Sequence, residues 1–323
     1  MLSNIFFEKA VVFSVVLHLT ITSVTFSQTT PIDTNPSKIR IQIENQVDLN
    51  MIYIPPGKFR MGYDMPWLAR HPLTSSSDGN ASPGFIVTMT KGFYLGEDNI
   101  NCSQYLRFIN SIKDRGINEY TNIENSNPNL QFKKDDNGFS IIVDGDMPVS
   151  ASWSGADEFC TWLTQSTQMT FRLPTEAEWE FALRGNKNEN EPITDAGNNI
   201  LKNGLKNMIH QRRTLPVKYF GNWVQDYFDI FNSKEKTDPQ GPEHSTYKNR
   251  GTIEKETKIL KSPKPGRNYS ARFPAYMLSD TAGICGFRVT LDEISVMQYL
   301  QNPSSFPENI TLTIIDAQPY NIP

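Results

Sequence analysis

The chain has 323 residues, enough for one large domain or two small ones, and either can bury a core. Its 31 basic and 35 acidic residues leave a net charge of −4, which excludes the electrostatic footprint of a nucleic-acid binder. The 19 Gly and 21 Pro, with 11% aromatics, describe a globular chain rich in irregular structure rather than a helical bundle.

In chain order, Lys9 precedes a mostly apolar run from Ala10 to Phe26, and Thr25 and Ser27 put small residues at the minus-three and minus-one positions of a cleavage site before Gln28. Residues 1–27 are read as an export signal. A membrane anchor is the alternative, since the run is close to the lower limit for a spanning helix; His18, several Ser and Thr and the missing basic flank argue against it. The protein is thus expected to be exported, touching a membrane only through an uncleaved signal. Residues 28–45, polar and holding Pro31 and Pro36, read as a tether. Three cysteines, Cys102, Cys160 and Cys285, allow at most one internal disulfide.

From residue 46 a domain begins. Val47 to Gly62 alternates apolar and polar residues about Pro55-Pro56-Gly57, a hairpin signal. Tyr63 to Pro83 is a loop, and Phe85 to Gly96 reads as a pair of strands. A helix from about Asn101 to Lys113 buries Tyr105, Phe108, Ile109 and Ile112 on one face. The Asn-rich stretch from Asn118 to Asn137 reads as a long loop. A second helix, capped by Ser154, carries Ala156, Phe159, Cys160 and Leu163 on one face, which puts the Cys160 thiol in the core. Phe171 to Gly185 reads as a short strand entering a helix. Thr175 and Glu178 form its capping box, Pro174 ends the strand and Gly185 closes the helix. The acids Glu176, Glu178 and Glu180 are assigned to capping, to the field at a helix N-terminus and to solvent.

The phrase Arg172-Leu-Pro-Thr-Glu-Ala-Glu-Trp-Glu180 resembles the signature of the formylglycine-generating enzymes, or sulfatase-modifying factors. Other segments agree: Phe59-Arg-Met-Gly62 after a Pro-Gly turn, Met147 to Trp153, Trp223 to Asp226, Asp238-Pro-Gln-Gly-Pro242 and Gly286-Phe-Arg-Val289. The likeness runs over about residues 47–291 and thins after Gly185. Before the first helix Asn99-Ile-Asn101 stands where the family has Glu-Val-Thr. The resemblance implies a single α+β domain of C-type-lectin-like architecture over residues 46–292, with few helices, short strands and much irregular loop. Residues 293–323 form a C-terminal extension in which Ile310 to Ile315 alternates as an added strand.

The family's reaction, as the resemblance implies it, oxidises a sulfatase cysteine to formylglycine at copper(I) held by two cysteines, soft ligands suited to that ion. The matching segment here, Lys258 to Arg267, has no cysteine, and none occurs between Cys160 and Cys285. Copper and catalytic residues are therefore not expected, and Cys285 reads as packing. His71, His210 and His244 are scattered without metal-ligand spacing. Calcium is the other ion the family binds, and Asn222 and Asp226 are its candidate ligands, while Asp195 to Asn199 reads as a solvated loop. Trp223, Arg267, Tyr269 and Arg272 are candidates for a binding groove. Arg172, Thr175, Glu178, Trp179 and Arg288 are structural, the two arginines through ion pairs. Three functions are weighed: a peptide- or protein-binding module without the copper chemistry, an enzyme working through an atypical site, and a carbohydrate-binding module that stacks sugars on groove tryptophans.

Overall fold

A computed structural model describes residues 35–43, 47–62, 81, 83–113, 131–184, 220–229, 231–232, 234–245, 248–249, 252–253, 257–261, 272–276 and 284–318. The expected export signal, residues 1–27, lies outside these residues. Among them no helix is long and apolar enough to cross a membrane.

Strand β1 (Lys38–Ile43) falls inside the expected tether, which corrects the domain boundary at 46. Its Ile39, Ile41 and Ile43 alternate and are buried, so the segment contributes one apolar face to the core. β1 pairs antiparallel with β2 (Val47–Ile54). β3 (Gly57–Met61) does not fold back on β2; it pairs with β4 (Phe85–Met89) in another sheet. The Pro55-Pro56 link explains this, since it lacks the backbone N–H groups and the positive φ angles that a two-residue hairpin turn uses. Likewise β4 and β5 (Phe93–Gly96) are not a pair, because β5 joins β2.

Helix α1 (Cys102–Ser111) starts from a capping box in which Asn101 and Gln104 exchange bonds. β6 (Phe132–Asp135) and β7 (Gly138–Ile141) make a hairpin, so the end of the expected Asn-rich loop is ordered strand. Helix α2 (Trp153–Thr167) is capped by Ser152, not Ser154: Ser152 Oγ accepts from the Gly155 N–H. Short β8 (Phe171–Arg172) leads into α3 (Glu176–Arg184). Gly185, the expected closing residue, lies outside the described residues.

Next come β9 (Phe220–Tyr227), β10 (Lys236–Thr237), and the pair β11 (Lys248–Asn249) and β12 (Thr252–Ile253). β13 (Thr257–Lys261), β14 (Arg272–Tyr276) and β15 (Ile284–Phe287) build a second main sheet in the order β14-β13-β9-β15. β16 (Thr290–Asp292) returns to the first sheet and precedes α4 (Glu293–Gln301). The expected C-terminal strand forms as β17 (Ile310–Asp316) and pairs along the whole of β1. The first sheet therefore runs β17-β1-β2-β5-β16-β8 and joins both ends of the described chain.

Side chains alternate along β9 and β13, so their sheet is buried on both faces. Trp223 and Leu260 belong to the core around α1 and α2. Val224, Phe228 and Ile259 belong to the core around α3, β3 and β4. With both faces covered, the polar residues of these two strands must find partners inside the protein.

Candidate functional site

The α3 capping box is present as read: the Glu178 N–H donates to Thr175 Oγ1 at 3.1 Å, and the Thr175 N–H to Glu178 Oε2 at 2.8 Å. Arg172 grips the same carboxylate through two bonds of 2.6 and 2.7 Å, with Asp292 3.4 Å away. The other acids depart from expectation. All nine residues of α3 are buried, because β3 and β9 flank the helix. Lys261 on β13, itself fully buried, lies 3.1 Å from both Glu176 Oε1 and Glu180 Oε2. Glu180 Oε1 also accepts from Arg184 at 2.7 Å and from the Gly62 N–H at 2.8 Å. Among the described residues two carboxylates, Glu176 and Glu180, thus meet two cations, Lys261 and Arg184, inside the fold.

Asn222 and Asp226 both face α3 from β9, but they do not meet. At about 3.3 Å per residue they stand about 13 Å apart along the strand, whereas oxygens on one calcium lie about 2.3–2.6 Å from it. Asn222 Oδ1 accepts from the Trp179 indole N–H at 3.3 Å. Asp226 Oδ2 accepts the first helical N–H of α3, that of Glu176, at 2.7 Å, an anion placed at a helix N-terminus. As a pair they do not fit calcium. Among the described residues no group of three His, Cys, Asp or Glu is placed to hold a metal ion.

Trp223 is corrected from groove to core: it is fully buried on the α2 face and its indole N–H donates to Ala151 O at 2.8 Å. Trp153 returns the contact, donating to Val224 O at 2.9 Å. Arg272 stands on β14 opposite Lys261. Arg267 and Tyr269 lie outside the described residues. Arg288, read as structural, donates to the main-chain carbonyls of Gly96, at 2.8 Å, and Glu97. Its full burial pushes its pKa down to about 10, against the pull of Asp98 and Glu97.

Where β9 leaves the sheet, a cavity of about 420 Å³ opens. Among the described residues its charged lining is Glu176, Asp226, Asp229 and Lys236, and Tyr227 and Phe231 supply aromatic wall. The outer rim is the Asp238–Pro242 turn. Asp238 holds that turn to the domain by accepting from the Thr90 N–H at 2.7 Å and from the Thr90 hydroxyl. Gly241 packs over Asp226 with φ +76°, and a Cβ there would lie 2.7 Å from Asp226 Oδ1. A smaller cavity of about 260 Å³, lined by Arg172, Glu178, Asp292 and Glu293, lies across the same turn and shares Gln240 with the first. Sequence reasoning named neither Asp229 nor Lys236; the Asp-Pro-x-Gly-Pro turn between the cavities was the available signal.

The family model described as a sulfatase-modifying factor enzyme 1-like domain matches residues 40–240, from inside β1 to the cavity-rim turn. The chain belongs to this family. Serine/threonine-protein kinase Pkn1 of Chlamydia trachomatis is 26% identical over 220 residues, 61% of this chain and 32% of that protein. The chain thus spans about a third of the length of that relative. Treponema denticola variable protein 1 superposes with a TM-score of 0.50 at 14% identity, covering 79% of this chain and 99% of the other. PvdO from Pseudomonas aeruginosa gives 0.44 at 15% identity over 80% and 99%. The fold is the family's C-type-lectin-like α+β domain, with four helices and many short strands among the described residues.

In the segment where the sequence resemblance puts the family's copper chemistry, β13 carries two buried lysines. Lys261 serves the α3 carboxylates. Lys258, on the other face, donates to Gln225 O at 2.9 Å and lies over the rings of Tyr227 and Trp153, 3.4 and 3.9 Å from their centroids. Burial pushes the Lys258 pKa down to about 8, and Asp157 and Asp226 only partly offset it. Cys102 and Cys160 are buried free thiols in the α1–α2 core. Burial, then Asp144, pushes the Cys102 thiol up to about 12; burial, then Asp157, raises Cys160.

Proposed function

We propose that this chain is an exported binding member of the sulfatase-modifying factor family that lacks the copper-dependent oxidation, and that it holds a peptide segment of a protein partner in the cavity beside Asp226. The observation that carries the reading is the composition of that cavity. Its described lining carries Asp226 and Asp229, with Glu176 already paired to Lys261, beside Lys236, and a carboxylate-bearing pocket with low-dielectric walls favours a cationic side chain. Its volume, at the lower end of ligand pockets, suits one long side chain with part of its backbone.

The segment from Lys258 to Arg267 offers no thiolate for copper(I), and the β13 lysines are committed to structural contacts. A carbohydrate platform has little support, since Trp153, Trp179 and Trp223 are all at most 9% exposed and donate their indole N–H groups inside the protein.

Selection of a random-peptide display library on the purified protein tests the reading. The expected result is enrichment of peptides bearing Lys or Arg, abolished by Asp229→Lys in a variant that melts at the wild-type temperature. Enrichment indifferent to that variant, or none at all, overturns it.

A further inference from the structure

Gly286 stands between two asparagines. Its registered partner on β9 is Asn222, so the two residues face the same side of the sheet. On the other side, residues 96–100 run beside the end of β15: the Gly96 N–H donates to Val289 O and the Ile100 N–H to Phe287 O. This brings the Asn99 carboxamide over Gly286, where a Cβ would lie 3.0 Å from Asn99 Nδ2. Two carboxamides therefore flank a residue that has no side chain.

Both are short of partners. Asn99 is 7% exposed and Asn222 1%. Among the described residues neither Oδ1 nor Nδ2 of Asn99 has a hydrogen-bond partner, and Nδ2 of Asn222 has none. The orientation of the Asn222 amide is fixed by Trp179, whose indole N–H can only donate and so requires the oxygen. The amino group of Asn222 is left to face a ligand. That ligand must accept a hydrogen bond from Asn222 and either donate to or accept from Asn99. A cation cannot accept from an N–H group, and an apolar group would leave all three atoms unpaired. Water does both, and buried waters occupy such sites with two to four bonds.

We infer that an internal water molecule is bound over Gly286, accepting from Nδ2 of Asn222 and bonded to the Asn99 carboxamide. It joins β9 to the segment that leads into α1, and it gives Asn222, read from sequence as a calcium ligand, the opposite role of a donor. It also fits a glycine at this buried position, since a methyl group there would press on the Asn99 amide.

A high-resolution crystal structure of the full chain tests the site. The expected result is one solvent peak about 3 Å from Asn222 Nδ2 and from one Asn99 amide atom, lost in Gly286→Ala. A direct Asn99–Asn222 hydrogen bond with no peak, or a peak ringed by oxygen ligands as a metal ion would be, overturns the inference. Should Gly286→Ala fail to fold, the wild-type protein decides by NMR: cross-peaks between the Asn222 side-chain amide protons and long-lived water are expected, and their absence overturns it.

Discussion

The Lys261 ammonium lies 3.1 Å from the Glu180 carboxylate, and neither side chain reaches solvent. Glu176 pairs with the same Lys261, and Arg184 with Glu180. Desolvating such groups costs so much that removing one partner is more damaging than never having had the pair. Lys261→Met should therefore lower the unfolding free energy by roughly 3–5 kcal/mol, read as a shift of the urea midpoint at constant slope. A loss below about 1 kcal/mol, the range of exposed pairs, would show that the cluster is not closed to water.

The α3 cap should behave as a coupled unit. Thr175→Ala is expected to cost about 1 kcal/mol. Glu178→Gln keeps an acceptor for the Thr175 N–H but loses the two-pronged bond to Arg172. A double-mutant cycle between Arg172→Met and Glu178→Gln should give a coupling energy of roughly 0.5–3 kcal/mol; additive effects would mean that the pair contributes nothing beyond the cap.

Lys258 makes stability rise in mild alkali. Its folded pKa of about 8 lies below the ordinary 10.5. Below about pH 8 both states carry the charge, and the folded state bears its full burial cost. Between about 8 and 10.5 the unfolded chain holds a proton that the folded chain has released, so stability climbs with pH. The unfolding free energy of wild type minus that of Lys258→Met should rise across this window by something on the order of 3 kcal/mol. A flat difference would place the ammonium in contact with solvent.

The two core thiols should be inert in the folded protein. Thiolates, not thiols, react with disulfide reagents, and Cys102 and Cys160 are held protonated by burial. In a Cys285→Ser background, labelling at pH 8 should be negligible until denaturant is added. Rapid labelling of the native protein would contradict their placement against Phe159 and Leu163.

What the sequence made legible was local. The Thr175–Glu178 box, the α1 face and the core position of Cys160 depend on spacings of three and four residues, and β17 on simple alternation. Pairing was hidden, because Pro55-Pro56 looks like a hairpin turn whether the next strand folds back or crosses to another sheet. The tether reading failed for a related reason: β1 earns its place only through partners on β2 and β17, the latter more than 250 residues away. At the site, Glu176 and Glu180 looked exposed because their buried partner, Lys261, is more than 80 positions further on. Asn222 and Asp226 suggest one cation only through the family resemblance, which does not show that the extended β9 holds the two side chains apart. The cavity itself draws on α3, β9, β10 and the 238–242 turn, a convergence that no single motif encodes.

The central claim is that this family member binds without oxidising. The direct measurement is mass spectrometry of a cysteine-containing peptide incubated in air with the full-length protein loaded with copper(I). The account predicts that the protein retains no stoichiometric copper after desalting and that the peptide is recovered with its cysteine intact. Conversion of even one equivalent of cysteine to the aldehyde, beyond that in a protein-free copper control, would contradict it.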